Sequence, residues 1–121
     1  MSNEHHHGLV LAKRAKKAAG TESAEKAWQQ IQVHFAAEVE PHFQAEEMRL
    51  LPALERVGET ELVRRTHADH AELRYMIREG GVQAMAGFAE LFIQHIRFEE
   101  RELFETAQQK IPAAELDALV N

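Results

Sequence analysis

Two stretches of the chain, PHFQAEEMRLLPAL (residues 41–54) and QHIRFEERELFETA (residues 94–107), carry the same string, H-x-x-x-E-E-x-x-L. On a helix, a histidine and a glutamate four residues apart share one face, and an imidazole nitrogen beside a carboxylate is a donor pair for a divalent metal ion. In the first stretch Phe35, Val39, His42, Glu46 and Leu50 follow one another at steps of 4, 3, 4 and 4. Phe88, Phe92, His95, Glu99 and Leu103 repeat those steps in the second. Both donor pairs therefore sit on an apolar stripe and aim at the core. A third segment places Val63, His70, Leu73 and Ile77 on one face, with His67 about one turn earlier. In the first segment the line of Gly8, Ala12, Ala15 and Ala19 extrapolates back to His5. His6 lies ~100° further round, although fraying of a first turn lets either histidine reach inward.

Burying these carboxylates and imidazoles without partners would cost several kcal/mol per charged group, roughly, and a metal centre removes that cost. The candidate ligands are His5 or His6, His42, Glu46, His70, His95 and Glu99. Two octahedral ions can share them, each carboxylate bridging through both oxygens, and still leave places for a bridging oxygen and a small exogenous ligand. Two negative side chains against two divalent ions favour an oxo or hydroxo bridge. Mixed imidazole and carboxylate donors suit iron, and less specifically manganese or zinc.

A lone H-x-x-x-E is a weak signal, and His34 with Glu38 supplies one. By 3.6-residue geometry His34 lies ~80° off the His42 face and Glu38 ~40° off it. His34 is read as structural or exposed, and Glu38 as a residue that can sit behind a ligand. Glu47 and Glu100, next to the candidate ligands, are read as surface or rim residues, His67 as a non-ligand, and Trp28 and the phenylalanines as core.

The elements that must position these residues are helices separated by punctuation. The pattern predicts a helix from about Glu4 to Ala19, ended by Gly20, and a second opened by Thr21 or Ser23 and kinked at Pro41. The second ends near Pro52 or Gly58, a third runs from about Glu59 to Glu79, and a fourth from Val82 to about Lys110. A short amphipathic tail, AAELDALV, follows Pro112. No period-2 alternation is sustained, so the expectation is an all-α fold: an antiparallel up-down-up-down four-helix bundle with a short C-terminal helix. At 121 residues the chain reads as one domain, residues 1–121. A net charge of −6 argues against a nucleic-acid partner. The absence of cysteine excludes disulfides, thiolate metal sites and a cysteine nucleophile. No apolar run approaches the ~18 residues of a membrane span, and no secretory leader pattern opens the sequence, so a cytoplasmic protein is expected.

At these residues the chain resembles the hemerythrin-like domains of the HHE cation-binding group. EHHHGLVLAKR is similar to the family's opening motif, PHFQAEEMRLLPAL to the second-helix motif, DHAELR to the third and HIRFEERELFE to the fourth. The resemblance spans nearly the whole chain and implies a bundle around a non-haem di-iron centre. Its ligands would be His5 (or His6), His42, Glu46, His70, His95 and Glu99, with the two carboxylates bridging. The chain departs from the oxygen-carrying members, which have H-x-x-x-H in the third helix and H-x-x-x-x-D in the fourth. Here His67-x-x-His70 and His95-x-x-x-Glu99 stand instead, the pattern of a non-carrier variant.

Three classes of function follow. The leading one is a binding module that takes oxygen, nitric oxide or iron itself for sensing, storage or stress protection, with Phe35, Phe43, Phe88, Phe92 and Phe98 as an apolar sleeve. The second is a di-iron enzyme with peroxidase-like or ferroxidase-like activity, or a role in repair of oxidative or nitrosative damage. The third is an interaction module stiffened by metal. With no effector segment beside the bundle, a signal would pass through a partner or a homodimer interface.

Overall fold

The computed structural model describes residues 2–120, with side chains from His5 to Leu119. Its elements are α1 (Ser2–Ala18), α2 (24–56), α3 (Thr60–Glu79), α4 (85–110, entered through a 3₁₀ turn at Val82–Ala84) and α5 (Ala113–Val120). No strand occurs among the described residues. The boundaries follow the punctuation to within a few residues. α2 runs through Pro52 and stops at Arg56, where Gly58 turns the chain at φ 90°, a conformation only glycine adopts cheaply. Ser23 occupies the position before α2, but its side chain makes no capping bond; Thr21 Oγ1 instead donates to the Ala18 carbonyl at 2.7 Å.

Contacts between helices set the topology. His5 lies by Glu99 and Gly8 by Phe92 and Ile96, so α1 and α4 are antiparallel. Glu47 meets His70, Glu40 meets Arg74, and Gln32 reaches the Ile77 carbonyl, so α2 and α3 are antiparallel. Asp69 meets His95 and Arg65 meets Glu102, which sets α3 against α4 in the same sense. The result is the up-down-up-down bundle. α5 folds across one end, with Leu116 and Leu119 against the core and Arg56 paired with Glu115 at 3.1 Å.

The long helices are not regular α throughout. α2 contains π turns at Phe35–Val39 and Glu46–Leu50, and α4 contains one at Glu99–Leu103. In each, an N–H reaches five residues back: Glu40 to the Phe35 carbonyl, Leu51 to Glu46 and Phe104 to Glu99. Pro41 and Pro52 follow the first two. A proline has no N–H and crowds the carbonyl four residues back, and a widened turn before it relieves both problems. The helix continues through Pro41 behind the first π turn. The turn in α4 has no proline, so its counterpart in α2 cannot owe its position to Pro52 alone. What the two share is the repeated string. Two successive steps of four residues would rotate a stripe by ~80° on a 3.6-residue helix. Widening the turn at Glu46 and Glu99 keeps His42, Glu46 and Leu50, and likewise His95, Glu99 and Leu103, facing inward.

The apolar core is in two parts. One contains Trp28, Ile31, Phe35, Phe43, Leu73, Phe88, Phe92 and Ile96. The other contains Leu50, Leu54, Val63, Phe98, Leu103 and Ile111. Between them the buried side chains are polar: His5, Glu46, Thr66, His70, His95 and Glu99. Among the described residues no helix is long and apolar enough to cross a membrane.

Candidate metal centre

The polar layer is built from one donor residue near the start of α1, two in α2, one in α3 and two in α4. Donor atoms of His5, His42, Glu46 and Glu99 lie within 4.8 Å of one another, and so do those of Glu46, His70, His95 and Glu99. The two glutamates belong to both groups. Glu46 turns Oε2 to His42 Nε2 (3.4 Å) and Oε1 to His70 Nε2 (3.2 Å). Glu99 turns Oε1 to His5 Nε2 (3.2 Å) and Oε2 to His95 Nε2 (3.4 Å). Each carboxylate thus presents one oxygen to each histidine pair.

His5 Nε2, His70 Nε2, His95 Nε2, both Glu46 oxygens and Glu99 Oε2 are buried and make no hydrogen bond among the described residues. Buried polar groups in native proteins are nearly always satisfied, so a cluster of converging unsatisfied nitrogens and oxygens fits a cation, or two, as the missing partner.

The outer ring nitrogens show which nitrogen is free to ligate. His70 Nδ1 is 2.7 Å from Glu47 Oε2, and His95 Nδ1 is 2.9 Å from Asp69 Oδ2. A carboxylate holding the Nδ1 proton leaves Nε2 as the lone-pair donor and strengthens its basicity. Glu47 is itself gripped by Arg74 through Nη1 (2.8 Å) and Nη2 (3.1 Å), and Arg74 makes a two-pronged pair with Glu40 at 2.8 and 2.7 Å. Phe43 lies flat on the His70 ring, with centroids 3.8 Å apart and planes within 9°. His5 stacks on Phe104 at 5.1 Å.

The electrostatics follow the geometry. Burial pushes the Glu46 carboxyl up, and the facing Glu99 carboxylate adds to this. Burial also works against ionised Glu99, but its contacts with Glu46, His5 and His95 outweigh this and hold it well below the usual carboxylate range. Burial would lower His95, but Asp69 and then Glu99 overcome it and raise the imidazole to about 9. Without metal, therefore, burial and mutual repulsion favour a proton on the glutamate pair, and Asp69 and Glu99 favour the cationic form of His95. Arg74, and then His70, hold Glu47 below its ordinary value despite partial burial.

Several sequence expectations find other places. His6 is exposed, while His5 is buried at 8% exposure; α1 is helical through its first turn, so no fraying brings His6 inward. His67, read as a non-ligand, faces solvent. Glu47 is not a rim residue but the partner of His70, because α3 crosses α2 closely there. Glu100 matches the rim reading, half exposed and 3.9 Å from His5 Nδ1. Glu38 is exposed and, with His34, lines a cavity of about 290 Å³ beside His5 and His42. Of the five phenylalanines in the proposed sleeve, Phe43 and Phe92 line that cavity. Phe35 and Phe88 pack in the core behind them, and Phe98 lies in the other core, under the Arg65 guanidinium. Asp69, Arg74 and Glu40 went unmarked in the sequence. Asp69 sits off the apolar stripe, and nothing in its spacing distinguishes it from a solvated acid.

A helical bundle with a buried histidine and carboxylate layer defines the class: a cation-binding helical protein. The sequence profile of the hemerythrin HHE cation-binding domain matches residues 1–107, and the chain belongs to that family. No curated protein and no solved structure matches.

Proposed function

We propose that the layer holds two iron ions: one between His5, His42 and the near oxygens of both glutamates, the other between His70, His95 and the far oxygens. The observation that carries this reading is the split of each carboxylate, Glu46 Oε1 and Oε2 at 3.2 and 3.4 Å from histidines on two different helices, and Glu99 likewise. A single ion would leave one histidine pair without a partner. Iron held there supplies a change of oxidation state and a Lewis-acidic position for a small ligand. The protein's own part is positional. Glu47 and Asp69 orient His70 and His95, Phe43 covers the His70 ring, and the apolar walls of Phe43, Phe92, Leu11 and Ile96 limit water beside His5 and His42.

On this reading the protein is a binding module for a small ligand such as oxygen or nitric oxide, or for iron itself. A second reading is an enzyme that turns over peroxide or ferrous iron, small substrates that the cavity of about 290 Å³ beside His5 and His42 also admits. Metal analysis with an optical spectrum tests the first reading: about two irons per chain, with near-ultraviolet bands that azide shifts. Absence of iron uptake by folded protein after anaerobic reconstitution overturns it. Turnover of peroxide or of ferrous iron then separates the two.

A further inference from the structure

His34, Glu38, His42 and Glu46 stand four residues apart along α2. On a regular helix His34 would be ~80° away from His42. The π turn at Phe35–Val39 lies between them and takes up that drift, and His34, Glu38 and His42 all line the one cavity. Exposure falls along the series. His34 and Glu38 are exposed, the His42 side chain is 13% exposed, and that of Glu46 is 3% exposed. His7, exposed on α1, completes the outer lining, and His5, His42 and Glu99 form its inner end. Gly8 keeps the wall of α1 low: a Cβ there would lie 3.0 Å from Ile96 Cδ1 and 3.2 Å from Phe92 Cζ.

A stepped series of imidazole and carboxylate donors, running from solvent to a buried polar layer through one cavity, suits a divalent cation that must exchange its hydration shell in stages. The other histidine pair lies away from this cavity. His70 and His95 are at most 1% exposed and contribute nothing to the cavity wall. We infer that His34, Glu38 and His7 form an outer transit site, through which a divalent metal ion is captured and passed to, and released from, the position between His5 and His42. The inference rests on the proposed ligation by His5, His42, Glu46 and Glu99, and deepens it by assigning the path and the side from which metal loads.

The test follows cobalt(II) uptake by metal-free protein in a stopped-flow spectrometer, and its removal by a chelator, for wild type and for His34→Gln/Glu38→Gln. A transit residue changes both rates by the same factor and leaves the equilibrium alone. The expected result is uptake and release both slower on the order of threefold to tenfold, a fraction of the range available to electrostatic steering. Final stoichiometry and affinity should match wild type. Glu38→Lys, which reverses the charge at the mouth, should slow uptake further, and His67→Gln, exposed and away from the cavity, should leave both rates alone. Unchanged rates in the double variant overturn the inference while leaving the metal reading intact. Slower uptake accompanied by lost equilibrium binding also overturns it, since those residues would then be ligands. Failure of wild type itself to take up cobalt removes the metal reading and the path together.

Discussion

Glu46 and Glu99 occupy the same place in the repeated string, yet the structure makes them unequal in the metal-free protein. Burial and the facing Glu99 push Glu46 towards its protonated form, whereas Glu99 stays ionised against His5 and His95. Replacing Glu46 with glutamine supplies a neutral group of nearly the same shape where burial already disfavours the charge. The metal-free fold should therefore change by no more than about 1 kcal/mol, the usual scale when no buried charge or packing is disturbed. Replacing Glu99 with glutamine removes a buried anion and leaves the His95 cation with Asp69 alone, 2.9 Å away. Breaking a buried pair in this way costs roughly 3–5 kcal/mol. With metal the two variants should converge. Neither amide can bridge two cations, so both should lose the stabilisation that wild type gains from binding, about 2.7 kcal/mol at a free metal concentration one hundred times its dissociation constant. Urea unfolding at pH 7, with chelator and then with excess ferrous iron under anaerobic conditions, measures all of these terms. Equal destabilisation of the two metal-free variants would refute the assigned protonation. Full metal stabilisation in either would refute the bridging role.

The other predictions concern the same layer. His5→Ala should lower metal content while His6→Ala leaves it unchanged, as read by elemental analysis, because only His5 faces the glutamates. Glu47→Gln and Asp69→Asn should each weaken metal binding by about 10–100-fold while preserving helix content, because they orient His70 and His95 without ligating; a competitive chelator titration checks this. Metal uptake near pH 7 should release protons, that of His95 among them, measurable with an indicator dye, and apparent affinity should rise with pH. Stability of the metal-free protein should run the other way. His95 has its folded value raised from 6.5 to about 9, so its contribution is fully present below pH 6.5 and is lost as pH rises through 9. Metal-free unfolding free energies that rise over that interval would contradict the assignment.

Much of this molecule can be read without coordinates. The helices, their antiparallel order and the inward set His42, Glu46, His70, His95 and Glu99 follow from periodicity and punctuation. A residue's place on its own helix is a local property, and an apolar stripe must face the core whatever it packs against. The choice between His5 and His6 was not local in this sense. It depended on whether the first turn of α1 holds its helical form against Phe104 and Glu99. The π turns escaped because arithmetic at 3.6 residues per turn assumes a uniform helix; their effect was to put His34 and Glu38 on the cavity and to keep both bridging glutamates inward. Glu47, Asp69, Arg74 and Glu40 were hidden for a different reason. They lie off the apolar stripes, and only the close approach of α3 to α2 and α4 turns these apparently solvated side chains into partners of the buried histidines.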